Sequence, residues 1–147
     1  MKSLKETSFY RDSLHVLSYD FGDFYLYDRF IIAEFNDGEV VSWDCMGRIL
    51  VDDIRGIYGD QSKELIYISN RINKYSVVPS DWIKFKRNEC HIKGYGIISY
   101  SNRSYLNALL EKLFVSTKLQ FFNSLESAIS WACQVQKCNL PSFAPTS

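Results

Sequence analysis

The stretch Gly94–Leu113, GYGIISYSNRSYLNALLEKL, decides the fold. Its opening run, GYGIISY, is almost entirely apolar, which is typical of a strand buried on both faces. Ser101 follows, and its hydroxyl can accept a hydrogen bond from the unpaired amides of a helix's first turn. Leucines then recur at three- and four-residue steps and predict a helix with one apolar stripe, formed by Leu106, Leu109, Leu110 and Leu113. The stretch therefore predicts a buried strand that leads directly into a helix.

The same alternation of strand and helix extends in both directions along the chain. ELIYIS (64–69) and KLQFF (118–122) are short apolar runs that predict two more strands. Ser42, Ser80 and Ser124 each precede a segment with helical periodicity, and they predict the starts of three further helices.

An amino-terminal hairpin precedes this alternation. DFYLY (23–27) and FIIAEF (30–35) flank Asp28-Arg29 and predict two strands joined by a tight turn. We expect an α/β domain in which the hairpin is followed by alternating helices and strands. Its mainly parallel, mixed sheet would hold about five strands and carry about four helices. The domain is predicted to span residues 1–137, with residues 1–12 frayed and 138–147 as a flexible tail.

Charge and composition limit the classes of partner and compartment. Lys and Arg number 17, as do Asp and Glu, so no net charge attracts nucleic acid or an anionic membrane. The opening MKSLKETSFYRDS lacks the apolar middle of a signal peptide, which predicts a cytoplasmic protein. The four cysteines are then expected to remain thiols, and without a CxxC pair they do not predict a zinc site.

The sequence offers no motif for catalysis. His15 and His91 have no Ser, Cys or Asp at a spacing that suggests a relay, and Asp52-Asp53 fits the solvated side of a helix. Gly94 and Gly96 come before the strand core, whereas a nucleotide-binding loop would follow it. We therefore predict no enzyme activity, no catalytic residues, no metal and no cofactor.

Several phrases of the chain resemble a known family. They are FNDGEVVSWDCMGRIL (35–50), KELIYISNRINKYSVVPSDW (63–82), IKGYGIISYS (92–101) and FFNSLESAISWA (121–132). These phrases are similar to small SpoIIAA-like proteins of the STAS fold found in Bacteroidetes-type bacteria, and the resemblance covers about residues 20–135. It implies a STAS/SpoIIAA-like fold.

The resemblance also implies a mode of regulation. In anti-sigma-factor antagonists, a partner kinase phosphorylates a serine that follows the third strand, and this switches partner binding. The residues at the matching position are Ser69, Ser76 and Ser80, whereas Asn70 stands where the family has an acidic residue. Phosphate would add nearly two negative charges there. The implied partner is a kinase-like protein or another regulator.

Ser-Asn-Arg occurs twice, at 69–71 and at 101–103, each time after an apolar run. If the two preceding strands are parallel neighbours, their carboxyl ends share one edge of the sheet, where ligands of α/β proteins collect. This predicts an edge that binds an anionic group or a partner, formed by Asn70, Arg71, Tyr75, Ser101, Asn102 and Arg103. Ordinary helix capping and strand ends that meet water are the more economical explanation of the same residues.

These observations predict a non-catalytic, regulatory protein–protein interaction module that docks through this edge. We expect no nucleic acid and no membrane as partners, and an edge strand of the hairpin could pair with a second copy to give a homodimer. The alternative is a small-molecule binding protein, in which an apolar cleft beside Trp82 and Tyr105 holds a lipid-like or nucleotide ligand.

Overall fold

The computed structural model describes residues 2–138. Within them, a six-stranded sheet has the order β1-β2-β3-β5-β7-β8, and two short strands, β4 and β6, pair beside it. The strands are β1 (His15–Tyr19), β2 (Gly22–Leu26), β3 (Phe30–Phe35), β4 (Val40–Val41), β5 (Ile66–Arg71), β6 (Ser76–Val77), β7 (Gly94–Ser99) and β8 (Leu119–Phe122).

Four α-helices accompany the strands in residues 2–138: α1 (Arg48–Tyr58), α2 (Asp81–Arg87), α3 (Asn102–Glu111) and α4 (Leu125–Gln136). A π-helical turn, Trp43–Gly47, leads into α1. Three of the predicted serine caps form: Ser42 accepts from the amide of Cys45, while Ser101 and Ser124 cap α3 and α4. Ser80 stands at the start of α2 but makes no capping bond with its side chain.

The predicted fold class is confirmed at the level of architecture. β1, β2 and β3 are antiparallel, and β3, β5, β7 and β8 run parallel, joined by helices. The sheet has six strands because His15–Tyr19 adds an outer strand to the hairpin. This strand is difficult to predict, because its side chains are mostly exposed and give no apolar run.

Alternating strand residues give the sheet two differently covered faces. On one face, Ile68 and Ile98 pack with Leu125 and Ile129 of α4. On the other, the residues Ala33 and Phe35 pack with Leu50 and Ile54 of α1, and Tyr95 and Ile97 pack with Ala108 of α3. We call these the α4 face and the α1 face. The sheet therefore separates two layers of helices, and its central strands are buried on both faces.

The two glycines of β7 have a packing role on the α4 face. A Cβ on Gly96 would lie 3.1 Å from the ring of Trp131, and a Cβ on Gly94 would lie equally close. These contacts are tighter than ordinary van der Waals distances, so the glycines make room for the indole beneath α4. They serve the packing of α4 and not a nucleotide.

Residues 4–12, for which the sequence predicts fraying, are packed against the sheet instead. Leu4 and Phe9 are buried, and the Ser3 hydroxyl and the Leu4 amide donate to the Glu34 carboxylate at 2.7 and 2.8 Å. Glu34 thus fixes a segment that composition alone marks as polar. The predicted tail lies outside the described residues, apart from Cys138.

Replacing Gly22 by Ala should test the closeness of β2 to β3. The added Cβ would lie 2.5 Å from the Glu34 carbonyl oxygen, so a backbone must shift. We expect a loss of about 1–3 kcal/mol in the free energy of unfolding, measured by urea titration. The control is Gly56→Ala in α1, where nothing lies within 4 Å and helix propensity should add roughly 0.5–1 kcal/mol. Equal stability of the two variants would contradict the packing described for β2.

Candidate functional site

The carboxyl end of β5 carries a buried guanidinium. Arg71 lies on the α1 face with 4% of its side chain exposed, and its Nη2 donates to Glu111 of α3 and to the Tyr95 hydroxyl, the latter at 2.9 Å. Its Nε donates to Ser69 at 3.2 Å, and its guanidinium carbon lies 5.4 Å from the ring centroid of Tyr75. The guanidinium of Arg71 therefore has hydrogen-bond partners at both Nε and Nη2 and an aromatic ring nearby, in place of water.

Glu111 is the anionic partner, and its side chain is 1% exposed. Besides the ion pair with Arg71, its Oε1 accepts from the Tyr95 hydroxyl at 2.7 Å and from Trp82 Nε1 at 3.0 Å. One carboxylate thus joins β5, β7, α2 and α3. Such full hydrogen bonding is what allows a charge pair to be buried without a large penalty.

Protonation equilibria reflect this environment. Burial raises the pKa of Tyr95 well above its ordinary value, and the negative charge of Glu111 adds to the effect. For Arg71, burial alone would lower the pKa, but Tyr95, Tyr75 and Glu111 outweigh burial and raise it. Arg71 is therefore a permanent cation, and Tyr95 is a permanent neutral donor.

A second polar cluster lies on the α4 face and is built around Asn70, the residue directly before Arg71. Asn70 is fully buried; its Nδ2 donates to Glu34 at 2.7 Å and to the Lys2 carbonyl at 3.2 Å. The Tyr100 hydroxyl donates to Asn70 Oδ1 at 2.7 Å. Because successive strand residues point to opposite faces, Asn70 and Arg71 serve different clusters.

The two Ser-Asn-Arg segments reach the same edge but differ in exposure. β5 and β7 are parallel, and Arg71 pairs in register with Ser99, so the following residues lie on one edge. The first segment is the buried end of β5, which runs past the predicted strand end at 69. Ser101, Asn102 and Arg103 are exposed at the start of α3. Arg71 is paired with Glu111 and Asn70 donates to Glu34, so both side chains are engaged inside the protein, and the binding role of this edge stays a prediction.

The remaining predicted residues fall in different environments. The Tyr75 and Ser69 hydroxyls share a 2.7 Å hydrogen bond, and Ser69 is only 2% exposed. Ser76 and Ser80 are exposed. In the folded chain a kinase could therefore reach Ser76 and Ser80 but not Ser69. Phosphorylation of these serines stays a prediction.

The apolar stripe of α3 points outward, contrary to the usual orientation of an amphipathic helix. Ala108 and Glu111 form its buried side, while the leucines 106, 110 and 113 are 61%, 54% and 77% exposed. Together with two neighbouring rings they form what we call the α3 outer face: Tyr105, Leu106, Leu110, Leu113 and Phe114. The sequence identified these leucines but could not show that they face solvent.

The exposed charges of the segment that carries the α3 outer face have one sign. Arg103, Lys112 and Lys118 are exposed within residues 101–120, and Glu111, the only acid of this fully described segment, is buried. We call these three exposed cations of the same segment the cationic border.

An apolar cavity of about 150 Å³ lies on the α1 face, between the sheet and the segment from the π-helical turn to α2. Trp82 lines it. Tyr105 lines a separate, shallow groove beside Phe121. The predicted cleft beside both Trp82 and Tyr105 is thus two separate concavities.

Comparison with known proteins identifies no family. No protein-family model matches the chain, and no curated protein or solved structure matches it either. Among residues 2–138, no group of three His, Cys, Asp or Glu side chains could hold a metal ion. No helix in that part of the chain has the length and apolar character needed to cross a membrane.

Arg71→Met should leave the Glu111 carboxylate buried without its cation and cost about 3–5 kcal/mol in unfolding free energy. Adding Glu111→Gln should restore at least half of that loss, because Gln keeps an acceptor for Trp82 and Tyr95 without the lone charge. Urea unfolding measures both. The control is Lys84→Met, which breaks the exposed pairs with Asp44 at 3.0 Å and Asp81 at 3.6 Å and should leave the free energy of unfolding nearly unchanged, because water and salt screen such pairs. If the double variant is no more stable than Arg71→Met, the lone charge is not the cause.

Alkaline pH should destabilise the protein through its buried tyrosines. Burial raises the pKa of Tyr100 to about 12, with the negative charges of Glu34 and Glu126 adding to the effect. A pKa above the ordinary value of about 10 means that the neutral phenol favours the folded state. This contribution is complete below pH 10 and is lost as pH rises toward 12.

Urea midpoints measured between pH 8 and 12 should therefore fall above pH 10, together with the rise of tyrosinate absorbance. Tyr100→Phe should lower stability at pH 8, because Asn70 loses a donor, yet reduce the slope above pH 10. An unchanged slope would show that Tyr100 does not contribute to the alkaline transition.

Proposed function

We propose that this chain is a non-catalytic, regulatory interaction module that binds a protein partner through the α3 outer face. The observation that carries the proposal is the exposure of Leu106 and Leu110 on α3, whose inward side is fixed by Glu111, and of Leu113 in the turn that follows the helix. Monomeric proteins seldom expose a contiguous apolar patch of this kind without a partner.

Energy considerations support a partner for this surface. Burying the exposed parts of the three leucines would contribute roughly 3–6 kcal/mol before the costs of association are subtracted. The four-residue step places Leu106 and Leu110 on the same side of α3, and Leu113 follows in the turn after the helix. The complementary surface is an apolar groove or a second amphipathic helix.

The cationic border supports a choice among partners. Arg103, Lys112 and Lys118 favour a partner whose apolar contact surface is bordered by Asp or Glu, since complementary charge speeds encounter and fixes orientation. A second copy would bring the same cations together, so an acidic regulator or kinase-like protein fits better than a homodimer.

The finer fold assignment and the phosphoserine switch belong to the same proposal. The order of hairpin followed by alternating helices and strands, together with the quoted phrases, supports a STAS/SpoIIAA-like domain. Ser76 and Ser80 are the favoured regulatory serines because both are exposed and a kinase can reach them. The four free cysteines support a cytoplasmic location.

A photo-crosslinking residue at position 110 should capture the partner in native cells, whereas the same residue at position 14 should not. Leu14, the residue before β1, is 62% exposed and so matches Leu106, which is 61% exposed. The captured protein is then purified, and its affinity for the wild-type chain is measured directly.

Leu106→Asp should weaken this binding at least tenfold, because a carboxylate replaces a buried contact, and rising salt should weaken it as well. Leu14→Asp should leave it unchanged. Equal affinity of the wild-type chain and Leu106→Asp would exclude the α3 outer face, and a crosslink between two copies would replace the acidic partner with a homodimer.

A further inference from the structure

The cavity on the α1 face is large enough for one ring. Its sheet side includes Tyr67 and Tyr95, and its cover includes Trp43, Leu50 and Trp82. An apolar cavity of about 150 Å³ can accept a benzene-sized molecule. Pockets for larger ligands begin at roughly 300 Å³, so a nucleotide does not fit.

Charged groups in the cavity wall are either already bonded or exposed to solvent. Glu111 accepts from Arg71, Tyr95 and Trp82. Asp81 accepts from the Trp43 amide at 2.9 Å and lies 3.6 Å from Lys84. Of the basic wall residues, Arg55 donates to the Asn88 carbonyl, and Lys63 and His91 are exposed. A charged ligand would lose its hydration without gaining a buried, unpaired partner, which is costly in an apolar site. The wall therefore favours an uncharged occupant.

Aromatic rings dominate one part of the wall. Trp82 lies 4.9 Å from Tyr95 and 5.2 Å from Phe85 between ring centroids, and Tyr67 lies 5.5 Å from Tyr95. These pairs are tilted or edge-to-face, the arrangements that aromatic rings prefer. A ligand ring could extend the same pattern, whereas a flexible chain would lose conformational freedom on entering so small a space.

The cover of the cavity has unusual backbone geometry. The π-helical turn Trp43–Gly47 forms part of it, and π-helical segments occur frequently at functional sites. A Cβ on Gly47 would lie 2.9 Å from the Trp43 ring, so glycine is needed there. The turn is tied to α2 by the Trp43–Asp81 bond and by the 3.0 Å pair of Asp44 with Lys84.

A strained loop borders the same cavity. Glu89, a wall residue, has a left-handed backbone with φ of 58°, which is costly for a residue other than glycine. Arg55 of α1 stabilises this loop by donating to the Asn88 carbonyl at 3.0 Å and to the Cys90 sulfur at 3.3 Å. Backbone strain of this kind is concentrated at ligand clamps and active sites.

We propose that this cavity binds a small uncharged molecule with a single aromatic ring. The space, the aromatic wall and the bonded carboxylates define this ligand class together. The site lies between the sheet, α1 and α2, so it does not depend on partner binding at the α3 outer face.

Toluene and benzoate test the proposal as matched probes, since they share a ring and differ in charge. Toluene at tenfold above its dissociation constant should raise Tm by about 3–6 °C, while benzoate at the same concentration should leave Tm unchanged. In wild-type protein, nuclear Overhauser contacts should connect the toluene methyl group to Leu50 and Trp82. Absence of these contacts, or an equal effect of benzoate, would overturn the proposal.

Two phenylalanine variants locate the binding. Val51 lines the cavity, and Val51→Phe should fill it and weaken toluene binding at least tenfold. Ile57→Phe lies on the same helix at a 40% exposed position outside the cavity lining and should leave binding unchanged. If Val51→Phe fails to fold, the nuclear Overhauser contacts of toluene in the wild-type protein decide whether the ligand occupies the cavity. Full toluene affinity in a folded Val51→Phe variant would place the ligand elsewhere.

Discussion

Burial of Arg71 is the constraint on which the α1 face depends. A guanidinium cannot lose its hydration at the end of a central strand unless other groups replace the water, and the chain supplies a carboxylate, two hydroxyls and an aromatic ring. Glu111 must therefore point inward, and with it the last turn of α3. Trp82 then bonds to the same carboxylate, which fixes α2 over the sheet. The positions of both helices are consequences of one buried charge.

This constraint also explains the orientation of α3. A helix that turns Ala108 and Glu111 toward the sheet has to direct residues half a turn away toward solvent, and in this sequence those residues are leucines. Electrostatics overrides the amphipathic preference because an unpaired buried charge costs more than partly exposed leucines. The cavity has a related origin, since α2 is held at its first two residues: Asp81 accepts from the Trp43 amide, and Trp82 donates to Glu111. Neither bond depends on filling the space between α2 and the sheet.

Much of the architecture could be predicted from local patterns. Apolar runs located β2, β3, β5, β7 and β8, and serine caps located the starts of α3 and α4, because these signals depend on residues adjacent in sequence. The packing of residues 4–12 against the sheet and the solvent exposure of the α3 leucines could not be predicted from the sequence, for a shared reason. Leu4 is fixed by Glu34, and α3 is fixed by Arg71; both partners are about 30 to 40 residues away. Hydrogen bonds between residues so far apart in sequence produce no periodic pattern of residue types. A cavity produces none either, because segments from many parts of the chain bound it.

The forty residues between Arg71 and Glu111 have a consequence during synthesis. When β5 has left the ribosome, its guanidinium has no carboxylate with which to enter the interior, so the sheet cannot close around it. Completion of the α1 face must wait until α3 has emerged, and the hairpin of β2 and β3 remains without its parallel neighbour in the interval. The nascent chain therefore exposes unpaired strand edges until α3 has emerged, which makes this interval the one in which a chaperone would matter most.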